Sequence, residues 1–227
     1  MIQKMATEEL DRFGEKIIEG FKLSDDDLRS LLSLEFEEEL EKLYYVARKV
    51  RNYYFGNRVF LNCFIYFSTY CKNQCSFCYY NCKNEINRYR LTGEEVKEMC
   101  KALKGAGFHM IDLTMGEDPY YYDDPDRFVE LVRTVKEELG LPIMISPGVM
   151  DDSTLLKARE EGANFFALYQ ETYDRELYGK LRVGQSFEGR FNARRFAKEQ
   201  GGYCIEDGIL TGVGNDIEST LISLKGG

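Results

Sequence analysis

The residues with the most chemistry in this chain are Cys71, Cys75 and Cys78. They lie in Tyr70-Cys71-Lys72-Asn73-Gln74-Cys75-Ser76-Phe77-Cys78-Tyr79. Their spacing is C-x-x-x-C-x-x-C, with an aromatic residue just before the third cysteine. Three thiolates this close can hold three irons of a cubane iron–sulfur cluster. The fourth iron then lacks a protein ligand and is free to take a substrate or cofactor. A closed structural metal site would use four ligands instead. Cys82 extends the pattern to C-x3-C-x2-C-x3-C. A four-thiolate zinc site, in a structural or interaction module, is therefore the competing reading. Three unrelated core cysteines fit poorly with a loop that also carries Asn73, Gln74 and Ser76.

A second feature is a carboxylate in an apolar strand. In Met110-Ile111-Asp112-Leu113-Thr114, period-two alternation puts Met110, Asp112 and Thr114 on one face. If Ile111 and Leu113 pack against helices, Asp112 points into the interior of the fold. A buried carboxylate needs a partner. That partner is either a cationic group of a substrate or an internal Arg or Lys. Ser146, ending a later strand, is expected in the same cavity as a hydrogen-bonding group, or as a turn residue before Pro147. Cys63, Cys100 and Cys204 fall in strand or helix and are expected in the core. His109, the only histidine, precedes a strand and reads as structural. Tyr120, Tyr121 and Tyr122 form an aromatic loop, either a lid or a packed corner.

These residues need a scaffold, and the chain has the length and composition for one. With 227 residues, 44% hydrophobic, it can bury a sizeable core. The net charge of −9 argues against nucleic-acid binding, which needs phosphate-facing Lys and Arg. No apolar run approaches the roughly 20 residues of a membrane span. The stretch from Met1 to Glu9 lacks the apolar segment of a secretion signal. Seven cysteines, three of them clustered, favour metal over disulfides and a reducing cytoplasm.

Residues 1–57 read as helical. Ser24 before three aspartates starts a short helix, 36–55 is a longer amphipathic one, and Gly56 stops it. From there the pattern becomes alternating strand and helix. Strands are expected at 59–68, 110–115, 142–146, 164–169 and 203–210. Between them lie a helix from the Thr92/Glu95 capping box to Gly107, one from Asp124-Pro125 to Gly140, one over 152–161, and one from Ser186 to Gln200. Asn215 or Asp216 starts a last helix. The order implies an α/β fold of about five β/α units with a parallel sheet, residues 58–227, behind a helical extension, 1–57. The candidate residues follow strand C-termini, where such folds place their sites.

The cysteine motif resembles that of the radical S-adenosylmethionine (SAM) superfamily. The resemblance implies a TIM-like barrel, incomplete over the units read here. It implies a [4Fe–4S] cluster whose open iron chelates the amino and carboxylate groups of SAM. One-electron cleavage of the sulfonium then gives a 5′-deoxyadenosyl radical that abstracts hydrogen. Thr114-Met115-Gly116-Glu117-Asp118-Pro119 resembles the Gly-Glu element of the superfamily, so Gly116 and Glu117 would hold the SAM amino group through backbone. It also reads as an ordinary turn. Tyr169-Gln170-Glu171-Thr172 and Ser186-x-x-x-Arg190 are similar to the biotin synthase and hydrogenase-maturase branch. By that match Glu171 contacts the SAM amino group or ribose, Arg190 the SAM carboxylate, and Arg182 assists. Tyr169 falls in the same cofactor site, where that branch tends to have a basic residue. A surface ion pair between Glu171 and an arginine is the plainer alternative. Gly208, Gly212 and Gly214 resemble the superfamily's glycine-containing strand beside the adenine, and a simple strand-to-helix turn explains them equally well.

Over the whole chain, the N-terminal helices with residues 70–80, 114–120 and 168–173 resemble a family of lysine mutases of pyrrolysine biosynthesis. That resemblance implies conversion of L-lysine to (3R)-3-methyl-D-ornithine by hydrogen abstraction, fragmentation, recombination and hydrogen return. It also implies an electron donor such as a ferredoxin or flavodoxin. Another member of the biotin synthase and maturase branch is the nearer alternative.

Overall fold

The computed structural model describes Met5, residues 7–214 and residues 216–226. Asn215, one of the two expected starts of the last helix, and Met1 to Lys4 and Ala6 of the N-terminal stretch lie outside the described residues. By contacts the chain divides into two compact units. One comprises residues up to Val59 together with Thr211–Gly226, and the other is Phe60–Leu210.

The first unit contains α1 (Thr7–Ile18), α2 (Asp25–Leu32), α3 (Glu37–Phe55) and, from its second segment, α10 (Ile217–Gly226). Ser24 caps α2 in a full capping box with Asp27. Leu10 and Phe13 of α1 pack on Val46 of α3. The helices approach closely at Gly14, where a Cβ would collide with the Val46 side chain.

The second unit carries the sheet. Its strands are β1 (Asn62–Ser68), β2 (Met110–Met115), β3 (Ile143–Ser146), β4 (Ala163–Ala167) and β5 (Cys204–Glu206), in the order β1-β2-β3-β4-β5. Every pairing is parallel. The intervening helices are α4 (Gly93–Leu103), α5 (Pro119–Tyr122), α6 (Asp126–Leu139), α7 (Asp152–Glu160), α8 (Arg175–Leu181) and α9 (Phe187–Glu199). Ile65, Phe67, Ile111, Leu113, Ile143, Ile145 and Phe166 turn to one side, into a core shared with Val96, Phe128, Val132 and Leu155 from the helices. Fully burying such a side chain contributes about 1.5–3 kcal/mol. Because the side-chain period is two, this fixes which residues face the other way. Those are Phe64, Tyr66, Asp112, Thr114 and Ser146. Parallel pairing also brings the strand C-termini to one edge, so the segments after Ser68, Met115, Ser146 and Ala167 meet there.

Several expected boundaries shift. β1 begins at Asn62, and Val59, Phe60 and Leu61 are exposed. α4 ends at Leu103 rather than Gly107. β5 stops at Glu206, and pairing resumes only as a bridge between Glu171 and Ile209. Two short helices add to the expected elements, one where the tyrosine loop was expected and one between β4 and α9. Asp118 caps α5 with Pro119 at its first position, and Asp174 caps α8. Of the three cysteines expected in the core, Cys100 is buried, Cys63 is half-buried and Cys204 is exposed. Cys204 opens a three-residue strand with a neighbour on one side only. His109 is structural as expected: its Nδ1 accepts from the Leu61 amide at 3.0 Å, and its ring stacks on Phe60. The tyrosine run is a packed corner, with Tyr121 buried and the Tyr122 hydroxyl donating to the Pro147 carbonyl at 2.9 Å.

Candidate active site

A cavity of about 290 Å³ opens at the C-terminal edge of the sheet. Its lining includes Cys71, Cys75 and Cys78, and also Asp112, Ser146, Gly116, Glu117, Tyr169, Glu171, Arg182 and Arg190. These expected site residues therefore meet at one cavity, whereas Gly208, Gly212 and Gly214 are not among the residues that line it. Cys82 is exposed and is not part of that lining.

The cysteine loop leaves β1 at Ser68 and is held by residues on both sides of it. Arg88 donates to the carbonyls of Thr69 at 2.6 Å, Tyr80 at 3.2 Å and Asn81 at 2.7 Å, closing the loop on itself. Arg90 grips the buried Asp118 with Nε to Oδ2 at 2.7 Å and Nη2 to Oδ1 at 2.8 Å. Its guanidinium sits between the rings of Tyr70 and Tyr120, 4.7 and 4.4 Å from their centroids. The Ser68 hydroxyl donates to the same Asp118 carboxylate at 2.5 Å. Burial alone would raise Asp118, but these donors outweigh it and hold the carboxyl below its ordinary value. This ties the base of the cysteine loop to the turn that carries Gly116 and Glu117.

At Gly116 an added Cβ would fall on the Tyr70 carbonyl and the Cys71 side chain. Glycine is needed here because the backbone runs against the first cysteine. The Glu117 side chain lies beneath, accepting from the Val149 amide at 3.2 Å, while its carbonyl accepts from the Lys72 amide at 3.0 Å.

After β4 the chain supplies the charged wall. Glu171 has φ 70, a left-handed backbone unusual for a residue with a side chain. Its amide donates to the Gly208 carbonyl and its carbonyl accepts from the Leu210 amide, which fixes that conformation. Arg182 Nη2 donates to Glu171 Oε1 at 2.5 Å, with both side chains buried. This corrects the surface-ion-pair alternative. Burial pushes the Glu171 carboxyl up, opposed by Arg182 and Arg190. The Tyr169 carbonyl accepts from both guanidiniums, Arg182 Nη2 at 3.0 Å and Arg190 Nε at 2.8 Å. Its hydroxyl donates to Glu206 at 2.6 Å. Arg190 stands one turn inside α9, which Ser186 caps. Burial, with Arg182 alongside, brings its guanidinium down to about 10, so it stays charged at neutral pH.

The strand face of the cavity is simpler. Asp112 is 3% exposed and accepts from Ser146 Oγ at 2.8 Å. The register places Thr114 beside Ser146 and Asp112 beside Phe64 and Met144.

Two observations test whether these residues fit the cluster and SAM. Arg190 Nη1 and Arg182 Nε are buried without a hydrogen-bond partner among the described residues. Arg190 Nη1 lies 3.7 Å from Glu117 Oε1, an ion pair too long for a hydrogen bond. Cationic donors with hydrogen-bonding capacity left over in a cavity suit a carboxylate. Further, no three His, Cys, Asp or Glu side chains converge as ligands of one metal ion among the described residues. Cys82, the fourth thiolate that a closed zinc site would need, stands exposed and outside the lining of the cavity that holds the other three. Burial pushes the Cys71 and Cys78 thiols up, so taking up metal here releases protons. The residues fit.

Residues 65–222 match the Radical SAM superfamily. The chain belongs to that superfamily. It is 88% identical over its whole length to 3-methylornithine synthase of Methanosarcina acetivorans, and 80% identical to that of Methanosarcina barkeri. It spans 64% of the length of each of these curated relatives. A crystal structure of methylornithine synthase (PylB) superposes with a TM-score of 0.92 at 81% identity, covering 94% of this chain and 63% of that one. The parallel sheet described above is thus part of a TIM-like radical SAM barrel. The cofactors of this radical SAM chain are a [4Fe–4S] cluster and SAM.

Sequence reading missed the residues that hold this site without lining it. Arg88, Arg90 and Gln185 follow or precede the recognised motifs by a few positions, and only the folded loop shows what they touch. For Asp118 there was a signal: Asp-Pro before an aromatic run marks a helix start.

Proposed function

We propose that this chain carries out, within the whole protein, the radical rearrangement of L-lysine to (3R)-3-methyl-D-ornithine in pyrrolysine biosynthesis. The observation that carries the substrate is Asp112. It is a buried carboxylate without a cation beside it among the described residues, in the same cavity as the three cysteines and the two guanidiniums. An ammonium group of lysine is the partner it lacks, with Ser146 as a second hydrogen-bonding group. The 88% identical relative bears the name 3-methylornithine synthase, which supports the reading.

In this assignment Cys71, Cys75 and Cys78 hold the cluster. Gly116 and Glu117 hold the SAM amino group through backbone, with Glu171 at the amino group or ribose. Arg190 binds the SAM carboxylate and Arg182 assists by fixing Glu171. Tyr169 aims both guanidiniums through its carbonyl. When bound, the cluster and SAM supply one-electron cleavage of the sulfonium and a hydrogen-abstracting radical. The chain's part is to orient lysine against that radical and to shield it from water. Residues 58–227 are the barrel portion and 1–57 its helical extension, in keeping with the family match over 65–222. A small one-electron protein of the ferredoxin or flavodoxin kind is the reductant, in a reducing cytoplasm, which suits cysteines that form no disulfide with one another. Among the described residues no helix is long and apolar enough to cross a membrane.

The test is anaerobic reconstitution of the intact protein with iron, sulfide, SAM, lysine and a reductant. Methylornithine should form, and Asp112→Asn should weaken lysine binding by about 1.5–3 kcal/mol, the scale of a hydrogen bond to a charged group. SAM cleavage without lysine turnover would move the chain to another reaction of the biotin synthase and maturase branch.

A further inference from the structure

Gln185 lies in the turn between α8 and α9 and reaches the cysteine loop. Its amide nitrogen Nε2 is 3.0 Å from Cys75 Sγ, and its Oε1 is 3.5 Å from Arg182 Nη1. Arg182 can only donate, so the amide oxygen turns to the guanidinium and the NH2 group turns to the sulfur. The main chain fixes the same arrangement. The Gln185 amide donates to the Arg182 carbonyl at 3.0 Å, and the Ser76 amide donates to the Leu181 carbonyl at 2.9 Å. Ser76 Oγ adds a bond to the Lys180 carbonyl at 3.1 Å. The residue after Cys75 is thereby hung on the end of α8, and Gln185 is set against the sulfur by both its backbone and its side chain.

We infer that Gln185 is a positioning residue that sets the reduction potential of the cluster through its N–H···S bond to Cys75. Reduction adds one electron from the external donor and raises the negative charge on the ligand sulfurs. A donor fixed on one sulfur stabilises the reduced form more than the oxidised form and raises the potential. Arg182 Nη1, 3.7 Å from the same sulfur, acts in the same sense. But Arg182 is shared with Glu171 and the Tyr169 carbonyl, so changing it disturbs the proposed SAM contacts as well. Gln185 is the separable part of the device. The inference rests on Cys75 being a cluster ligand.

The experiment is a potentiometric titration followed by electron paramagnetic resonance of the reduced cluster, in the anaerobically reconstituted intact protein. Gln185→Met removes the donor and keeps the length; Gln185→Glu replaces it with a carboxylate. Both should retain wild-type iron and sulfide. The midpoint should become more negative in Gln185→Met and more negative again in Gln185→Glu. A wild-type midpoint in both variants, with iron intact, overturns the inference. Loss of iron in both also overturns it, since Gln185 would then hold the loop rather than tune it. Cys75→Ala, measured alongside, separates the two levels. If it retains a wild-type cluster, the ligand assignment fails and the inference with it. If it loses the cluster while the Gln185 midpoints do not move, the inference alone fails.

Discussion

Ser146 Oγ donates to Asp112 Oδ1 across 2.8 Å, joining the end of β3 to the middle of the neighbouring β2 inside the cavity. The bond does not offset the loss of water around the carboxylate. Burial pushes Asp112 from 3.8 up to about 6, with Ser146 opposing the shift and Glu206 adding to it. The folded protein therefore holds a proton there that the unfolded chain releases. Stability should fall as pH rises through the window from 3.8 to about 6. Asp112→Asn should be more stable than wild type above this window, by about 1–3 kcal/mol. The difference should vanish near the bottom of the window. Chemical denaturation at several pH values checks it, and a difference independent of pH would contradict the buried carboxylate.

Asp118 should show the opposite sign. Its pKa is held below 3.8, so the stabilisation from Arg90 and Ser68 is present above that value and lost as pH falls through the folded pKa. Asp118→Asn leaves Arg90 without its bidentate partner. Because Arg90 is partly exposed, the loss should be about 1–3 kcal/mol rather than the larger figure for a fully buried pair. Thermal unfolding near neutral pH measures it.

Gly116→Ala tests the contact between the Gly-Glu turn and the cysteine loop. The added methyl group meets the Tyr70 carbonyl, which cannot rotate away. Destabilisation of about 1–3 kcal/mol is expected, together with reduced iron loading. Wild-type iron content at wild-type stability would show that the turn and the loop move apart freely.

Removing the guanidinium of Arg190, whose Nη1 has no hydrogen-bond partner among the described residues, should affect SAM and spare the cluster. Arg190→Met is expected to weaken SAM binding by about 1–3 kcal/mol, the scale of a hydrogen bond to a charged group. Iron content should be unchanged. Calorimetric titration with SAM decides it, and undiminished affinity would leave Arg190 as a support for the Tyr169 carbonyl alone.

Much of this site was legible because its signals are local. The cysteine spacing lies within one loop, and the inward face of Asp112 follows from the alternation of a single strand. The Ser186 cap fixes where Arg190 emerges. Other features depend on which segments meet in space. The left-handed backbone of Glu171 arises from pairing with Gly208 and Leu210 and has no glycine to announce it. The Gln185–Cys75 contact requires α8, a seven-residue helix too short to show an apolar periodicity. Cys204 reads as core because it falls in an expected strand. Its exposure follows from the place of β5 at one end of the sheet order.

The central claim is an open three-cysteine cluster that binds SAM. Its most direct test is iron and sulfide content, with the electron paramagnetic resonance spectrum of the reduced protein with and without SAM. Wild type and Cys82→Ala should each carry a [4Fe–4S] cluster whose spectrum changes when SAM is added. Cys71→Ala, Cys75→Ala and Cys78→Ala should each lose the cluster and the response. Zinc in place of iron, or loss of the cluster in Cys82→Ala but not in the other three, would contradict the account.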